Sequence, residues 1–189
     1  MNFISLSNKS VNIKEFINFW SQFYIDPGER KYVDNINKNP CDKDALLALF
    51  EWKNGSKLSK GKKKSFEAKI SISSKLDIIN SLKSHFELKK FLEEFKEVST
   101  IWKIFLLHII KPARYPIFDQ HVYRAFYYIK NFKVRELSYD NKEKEKEYFE
   151  DYLPFFKQIQ GGHPIKKLDE SLWSFGKFLK GNYRKMIVK

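Results

Sequence analysis

KPARYPIFDQHVYRAFYYIK, residues 111–130, is the stretch on which the reading of this chain turns. Two prolines and the apolar triplet Pro116-Ile117-Phe118 bring a single carboxylate, Asp119, to a segment in which Val122, Tyr123, Phe126 and Ile129 recur at helical spacing. Pro116 disfavours a helical Tyr115, and an aspartate at the change from extended to helical chain accepts hydrogen bonds from the unpaired amides of the first turn. Asp119 is therefore expected at the N-cap of a helix. Donation from those amides also favours the ionised carboxylate and fixes its direction. Upstream, Val98–Ile110 is apolar on nearly all sides, the mark of a central buried helix, and Lys111–Pro116 is its exit loop.

Asp119-Gln120-His121-Val122-Tyr123-Arg124 has the form D-x-H-x-x-R. Placed after a helical run, a short loop and an extended step, it resembles the segment that carries the catalytic aspartate in the helix-hairpin-helix DNA glycosylase superfamily. The likeness covers roughly residues 97–129. It implies an all-α, compact helical glycosylase-like fold, with room for two helical lobes around a cleft, and it implies Asp119 as the essential carboxylate. The glycine-hydrophobic-glycine turn of such hairpins corresponds here to Glu97-Val98-Ser99, without either glycine. The position of the lysine nucleophile of bifunctional members corresponds to Ile101, and Lys103 falls on another helical face. A water nucleophile is expected rather than a Schiff base. His121 and Arg124 match positions of the same segment: His121 reads as a structural brace, Arg124 as a contact to phosphate or to Asp119. The single cysteine, Cys41, excludes a four-cysteine iron–sulfur cluster.

The 189 residues hold one sizeable core, so a single helical domain over residues 1–189 is expected. Lys and Arg number 36 against 23 Asp and Glu, a formal charge of +13 that favours a polyanionic partner, of which DNA fits the resemblance. One cysteine precludes an intrachain disulfide and suits a reducing interior. No charged start leads into a continuous apolar run in MNFISLSNKSVNIKEF, and no stretch reaches eighteen apolar residues. A cytoplasmic protein, with no membrane partner, is the expectation. His85, His108 and His163 give no ligand spacing with Cys41, so the sequence requires neither a metal nor a small-molecule cofactor.

Asn12 is placed to cap a helix with the stripe Ile13, Phe16, Ile17, Trp20 and Phe23, which Asp26-Pro27-Gly28 stops. Asp42 or Asp44 opens another that ends at Asn54-Gly55. The next stretch, KNGSKLSKGKKK (53–64), has six lysines and no acid. Its glycine spacing is wrong for a phosphate loop and no Ser or Thr follows Lys62. A flexible cationic loop is expected, with Lys60, Lys62, Lys63 and Lys64 on DNA backbone against the alternative of a merely solvated loop. Ser65–Ser84 reads as a helix, with a short strand around Ile70–Ser74 as the alternative. Residues 86–95 read as a further helix. Beyond the connection 131–140, a charged helix gains a buried face toward Phe156, with Pro154 expected to kink or terminate it. A last helix carries Leu168, Leu172, Phe175 and Leu179, with Asp169 near its head. The chain ends basic, with Lys177, Lys180, Arg184, Lys185 and Lys189.

Extruding a nucleotide costs roughly a few kcal/mol, offset by phosphate contacts and a pocket. Lys111 and Arg114 flank Asp119 in the sequence and are candidates for such contacts, beside ordinary solvation. Tyr115, Phe118, Tyr123 and Trp173 are candidate pocket aromatics, beside core. Three functions stay open: a monofunctional DNA glycosylase of base excision repair, acting by base flipping; a non-catalytic nucleic-acid-binding module on the same fold; and an interaction subunit that holds an acidic protein.

Overall fold

The computed structural model describes residues 12–181 and is all helical, with no strand among them. Arg184, Lys185 and Lys189, and residues 1–11 of the segment read for a leader, lie outside the described residues. Among the described residues no helix is long and apolar enough to cross a membrane. The chain divides into two compact units, one from residues 1–25 with 116–189 and one from residues 26–115.

In the second unit, α2 (Glu29–Val33) packs on α3 (Lys43–Asn54). Asp42 caps α3 by accepting from the Ala45 amide at 2.7 Å, and Gly55 closes it with φ +73°, a left-handed turn that costs a glycine little. Then come α4 (Lys60–Lys69), α5 (Ser73–Ser84), α6 (Leu88–Glu94) and α7 (Thr100–Ile110). The expected single helix over 65–84 is in fact two. The amides of Ile70 and Ser71 both reach back to the Phe66 carbonyl, which closes α4, and Ile70 is then buried while Ile72 stays exposed. The expected loop over 53–64 is also corrected, because Lys60–Lys64 already belong to α4. Lysine is a good helix former, and burying Phe66 fixes the helix despite four cations near its positive end.

The central helix of this unit is α7, where only Ile101 and Trp102 keep intermediate exposure. Phe105 meets Phe50 edge to face at 5.3 Å, and Phe50 also contacts Phe66 and Trp102. His108, fully inside, is held by the Tyr32 hydroxyl at 2.8 Å and the Tyr115 carbonyl at 2.7 Å, a structural histidine.

In the first unit, α1 (Ile13–Trp20) is capped by Asn12, whose side chain accepts from Glu15. It packs on α11 (Ile165–Lys180) through Phe16, Trp20 and Phe175. The most extensive helix pair is α11 with α8 (Gln120–Asn131). A Cβ on Gly176 would lie 1.8 Å from the His121 carbonyl oxygen, so the two backbones meet at a point that admits only glycine.

The charged helix α9 (Asn141–Lys146) runs through a π-helical turn, Glu147–Tyr152, directly into α10 (Leu153–Gln160). Pro154 therefore does not terminate it. The Leu153 amide bonds five residues back to Tyr148, and this shifted register is one in which a residue without an N–H fits inside a continuing helix.

Candidate functional site

Asp119 stands where its local sequence puts it. Its backbone is extended, and Oδ1 accepts from the His121 amide at 2.8 Å and the Val122 amide at 3.0 Å. The segment delivering it is buried: Tyr115, Pro116, Ile117 and Phe118 are inside, whereas Asp119 and Gln120 keep intermediate exposure. A carboxylate is thus anchored at a helix mouth, on a residue of intermediate exposure.

His121 follows, half-buried, with its ring 5.2 Å from that of Trp173. The Arg124 guanidinium can only donate, so the 3.2 Å contact from Nη1 makes His121 Nδ1 the acceptor and places the imidazole proton on Nε2. Burial is the main cause that holds His121 below the ordinary imidazole value. Asp119 opposes it, while Arg124, Lys180 and Lys177 reinforce it. His121 is therefore a neutral ring beside the carboxylate at physiological pH.

Arg124 corrects the expectation of a phosphate or Asp119 contact. Its side chain is 1% exposed. Nε and Nη2 bind Glu136 at 3.0 and 2.8 Å, and Nη1 donates to the Gly176 carbonyl at 2.8 Å. Gln120 also hydrogen-bonds Glu136. The guanidinium fork is spent joining α8 to the connection after it and to α11, which keeps it from a ligand. Neither Glu136 nor Gly176 stands out in the sequence. Their only signals are an acid in a connection that otherwise reads as linker and a glycine inside a strong helical pattern.

The other nominated cations belong to the second unit. Lys60, Lys62, Lys63 and Lys64 all lie exposed around the start of α4. Lys62 bonds the Asn54 side chain, and Lys60, Lys63 and Lys64 form no ion pair among the described residues. Ser59 holds the N-cap conformation but supplies no side-chain hydrogen bond. Lys111 is half-buried, and its ammonium donates to the Lys83 carbonyl at 2.6 Å, which makes it chiefly a brace. Arg114 is exposed, with its guanidinium 5.5 Å from the Phe86 ring and 5.3 Å from the Tyr115 ring. It keeps donors for a phosphate while stacked.

α6 and α7 follow one another across the turn at residues 95–99, and this turn has no bare backbone clamp for a phosphate. Val98 is buried, Glu97 is exposed, and the Glu97 carbonyl accepts from the Lys69 ammonium at 2.9 Å. Lys103 is buried in α7. Of the candidate pocket aromatics, Tyr115, Phe118 and Tyr123 are core, and Tyr123 donates to Glu147 at 2.7 Å. Trp173 keeps intermediate exposure beside His121. Among the described residues no group of three or more His, Cys, Asp or Glu is placed to hold a metal.

Compared with known proteins, the chain matches no family model, no curated protein and no solved structure.

Proposed function

We propose that this protein is a DNA glycosylase-like hydrolase that removes a damaged or modified base from DNA, with Asp119 as its essential carboxylate. One observation carries the reading. Asp119 is locked at the head of α8 by two amides in a residue of intermediate exposure, and two successive helices, α6 and α7, and a short exit loop precede it.

In such a reaction the C1′–N bond breaks, the water oxygen bonds to C1′, one water proton is released, and the departing base gains a proton. Positive charge develops on the sugar before water arrives, and a carboxylate of fixed direction stabilises it. The exposed lysines of α4 and the stacked Arg114 are the groups for phosphate. Lys111 contributes as a brace from the end of α7 to α5, and Arg124 as the clamp behind α8.

A second reading, a nucleic-acid-binding module without catalysis, is favoured by the hairpin turn, where an exposed Glu97 takes the place of a bare backbone amide and would repel a phosphate.

The two separate in one experiment. A panel of duplexes carrying modified bases is incubated with the parent protein and with Asp119→Asn, then treated with alkali to cut abasic sites. The parent is expected to give strand breaks on at least one duplex, and the variant at least about a hundredfold less, at equal DNA affinity. Tight binding by the parent with no breaks across the panel selects the module.

A further inference from the structure

The three residues that deliver Asp119, Pro116–Phe118, are gripped by their backbone from two helical segments of the same unit. Tyr148 donates its hydroxyl to the Pro116 carbonyl at 3.1 Å and Tyr152 donates to the Ile117 carbonyl at 3.4 Å. On the other side the Ile117 amide points at Asp169 Oδ2, 3.5 Å away. The Phe118 ring fills the space between, 5.2 Å from the Tyr148 ring and 5.1 Å from that of Tyr152. Both tyrosines are fully buried, and Asp169, on α11, is 5% exposed.

These groups are more than packing needs. An extended apolar triplet is covered as well by phenylalanine and leucine, whereas burying a carboxylate and two hydroxyls costs several kcal/mol unless each is satisfied. Tyr148 and Tyr152 both lie on the π-helical turn, a register found mostly as single turns and frequently at functional sites. In that turn the two hydroxyls, four residues apart, reach consecutive carbonyls of the delivering segment.

We infer that Asp169, Tyr148 and Tyr152 are positioning residues for Asp119, fixing the backbone of Pro116–Phe118 so that the carboxylate leaves it in one direction. Burial, with Asp169, Tyr148 and Asp119 behind it, pushes the Tyr152 hydroxyl well above the ordinary phenol value, so it stays protonated and keeps donating. This inference rests on the proposed role of Asp119, but the geometry it asserts is measurable without any reaction. An ångström of misplacement at a reacting group costs up to about a hundredfold in rate.

The test uses Tyr152→Phe, which deletes one oxygen and keeps the ring, together with Asp169→Asn. In the full chain, carbon-13 NMR follows the titration of the Asp119 carboxyl, and amide shifts of His121 and Val122 report its two donors. The Asp42–Ala45 cap of α3 serves as the internal control. Both variants are expected to move the Asp119 titration and its donor amides and to leave the Asp42 cap unchanged. On a cleaved duplex they are expected to lower the single-turnover rate about tenfold with Kd for DNA unchanged. Folded variants with the parent's Asp119 titration and parent rates overturn the inference. Should Asp169→Asn fail to fold, Tyr152→Phe alone decides. A parent protein that cleaves nothing on the panel sinks the glycosylase reading, and the NMR comparison then decides the positioning by itself.

Discussion

Two helix starts differ in how they are finished. At α8 the Asp119 carboxylate satisfies the His121 and Val122 amides and places an anion against the positive end of the helix dipole. At α4 the N-cap serine gives no side-chain bond, and Lys60, Lys62, Lys63 and Lys64 crowd the same positive end. The first start is complete in itself. The second is held from below, by the buried Phe66 and Ile70, and leaves its four lysines exposed. The two helix starts thus have opposite electrostatics, and the proposed reading uses the first for its carboxylate and the second for phosphate.

The contrast can be broken most severely from behind α8. Gly176→Ala drives a Cβ toward the His121 carbonyl, one residue after the Gln120 that opens the helix, and is expected to destabilise the protein by about 3 kcal/mol in urea unfolding. A variant with the parent's midpoint means that α8 and α11 do not approach as closely as described.

A smaller effect is expected at α4. Changing Lys60, Lys62, Lys63 and Lys64 together to Gln should weaken duplex binding and flatten the dependence of log K on log salt by about 0.9 for each phosphate no longer neutralised. Stability should hold or rise slightly, because cations leave the positive end of a helix. An unchanged salt slope removes α4 from the DNA face, whatever happens at Asp119.

The smallest effect is a pH dependence at the head of α8. Burial lowers the His121 value, so between that lowered value and the ordinary one the unfolded chain binds more protons than the folded one. His121 thus contributes stability that is present at neutral pH and lost as pH falls through this window. The loss should be modest, because the ring is only half-buried. Thermal unfolding between pH 7 and pH 5 should show a shallower acid loss in His121→Gln than in the parent. Identical losses in the two proteins would assign the pH dependence to another group.

The parts legible in the sequence are those written in interactions a few residues long. Asn12, Asp42 and Asp119 cap helices because each side chain meets an amide within three residues, and Gly55 ends α3 because the left-handed turn favours it. The stripe of the last helix, Leu168, Leu172 and Leu179, is equally readable, as is the uniformly apolar α7. The lysine run reads as a loop because charge and glycine argue for solvent, while the burial of Phe66 that makes it a helix is invisible locally. Pro154 reads as a stop because the π register that absorbs it involves how Tyr148 and Tyr152 are drawn into the core.

By itself, then, the sequence determined the helical class, the principal caps and the placing of Asp119 at a helix mouth, all consequences of local hydrogen bonding and periodicity. Only the tertiary structure decided that Arg124 is a clamp, since its partner Gly176 is 52 residues away, and that Asp169 faces Ile117 across the same separation. Such pairings depend on which helices cross and how closely. Burial, unlike a cap, is set by the whole unit, and it turned the arginine of the D-x-H-x-x-R segment inward while leaving Asp119 at intermediate exposure.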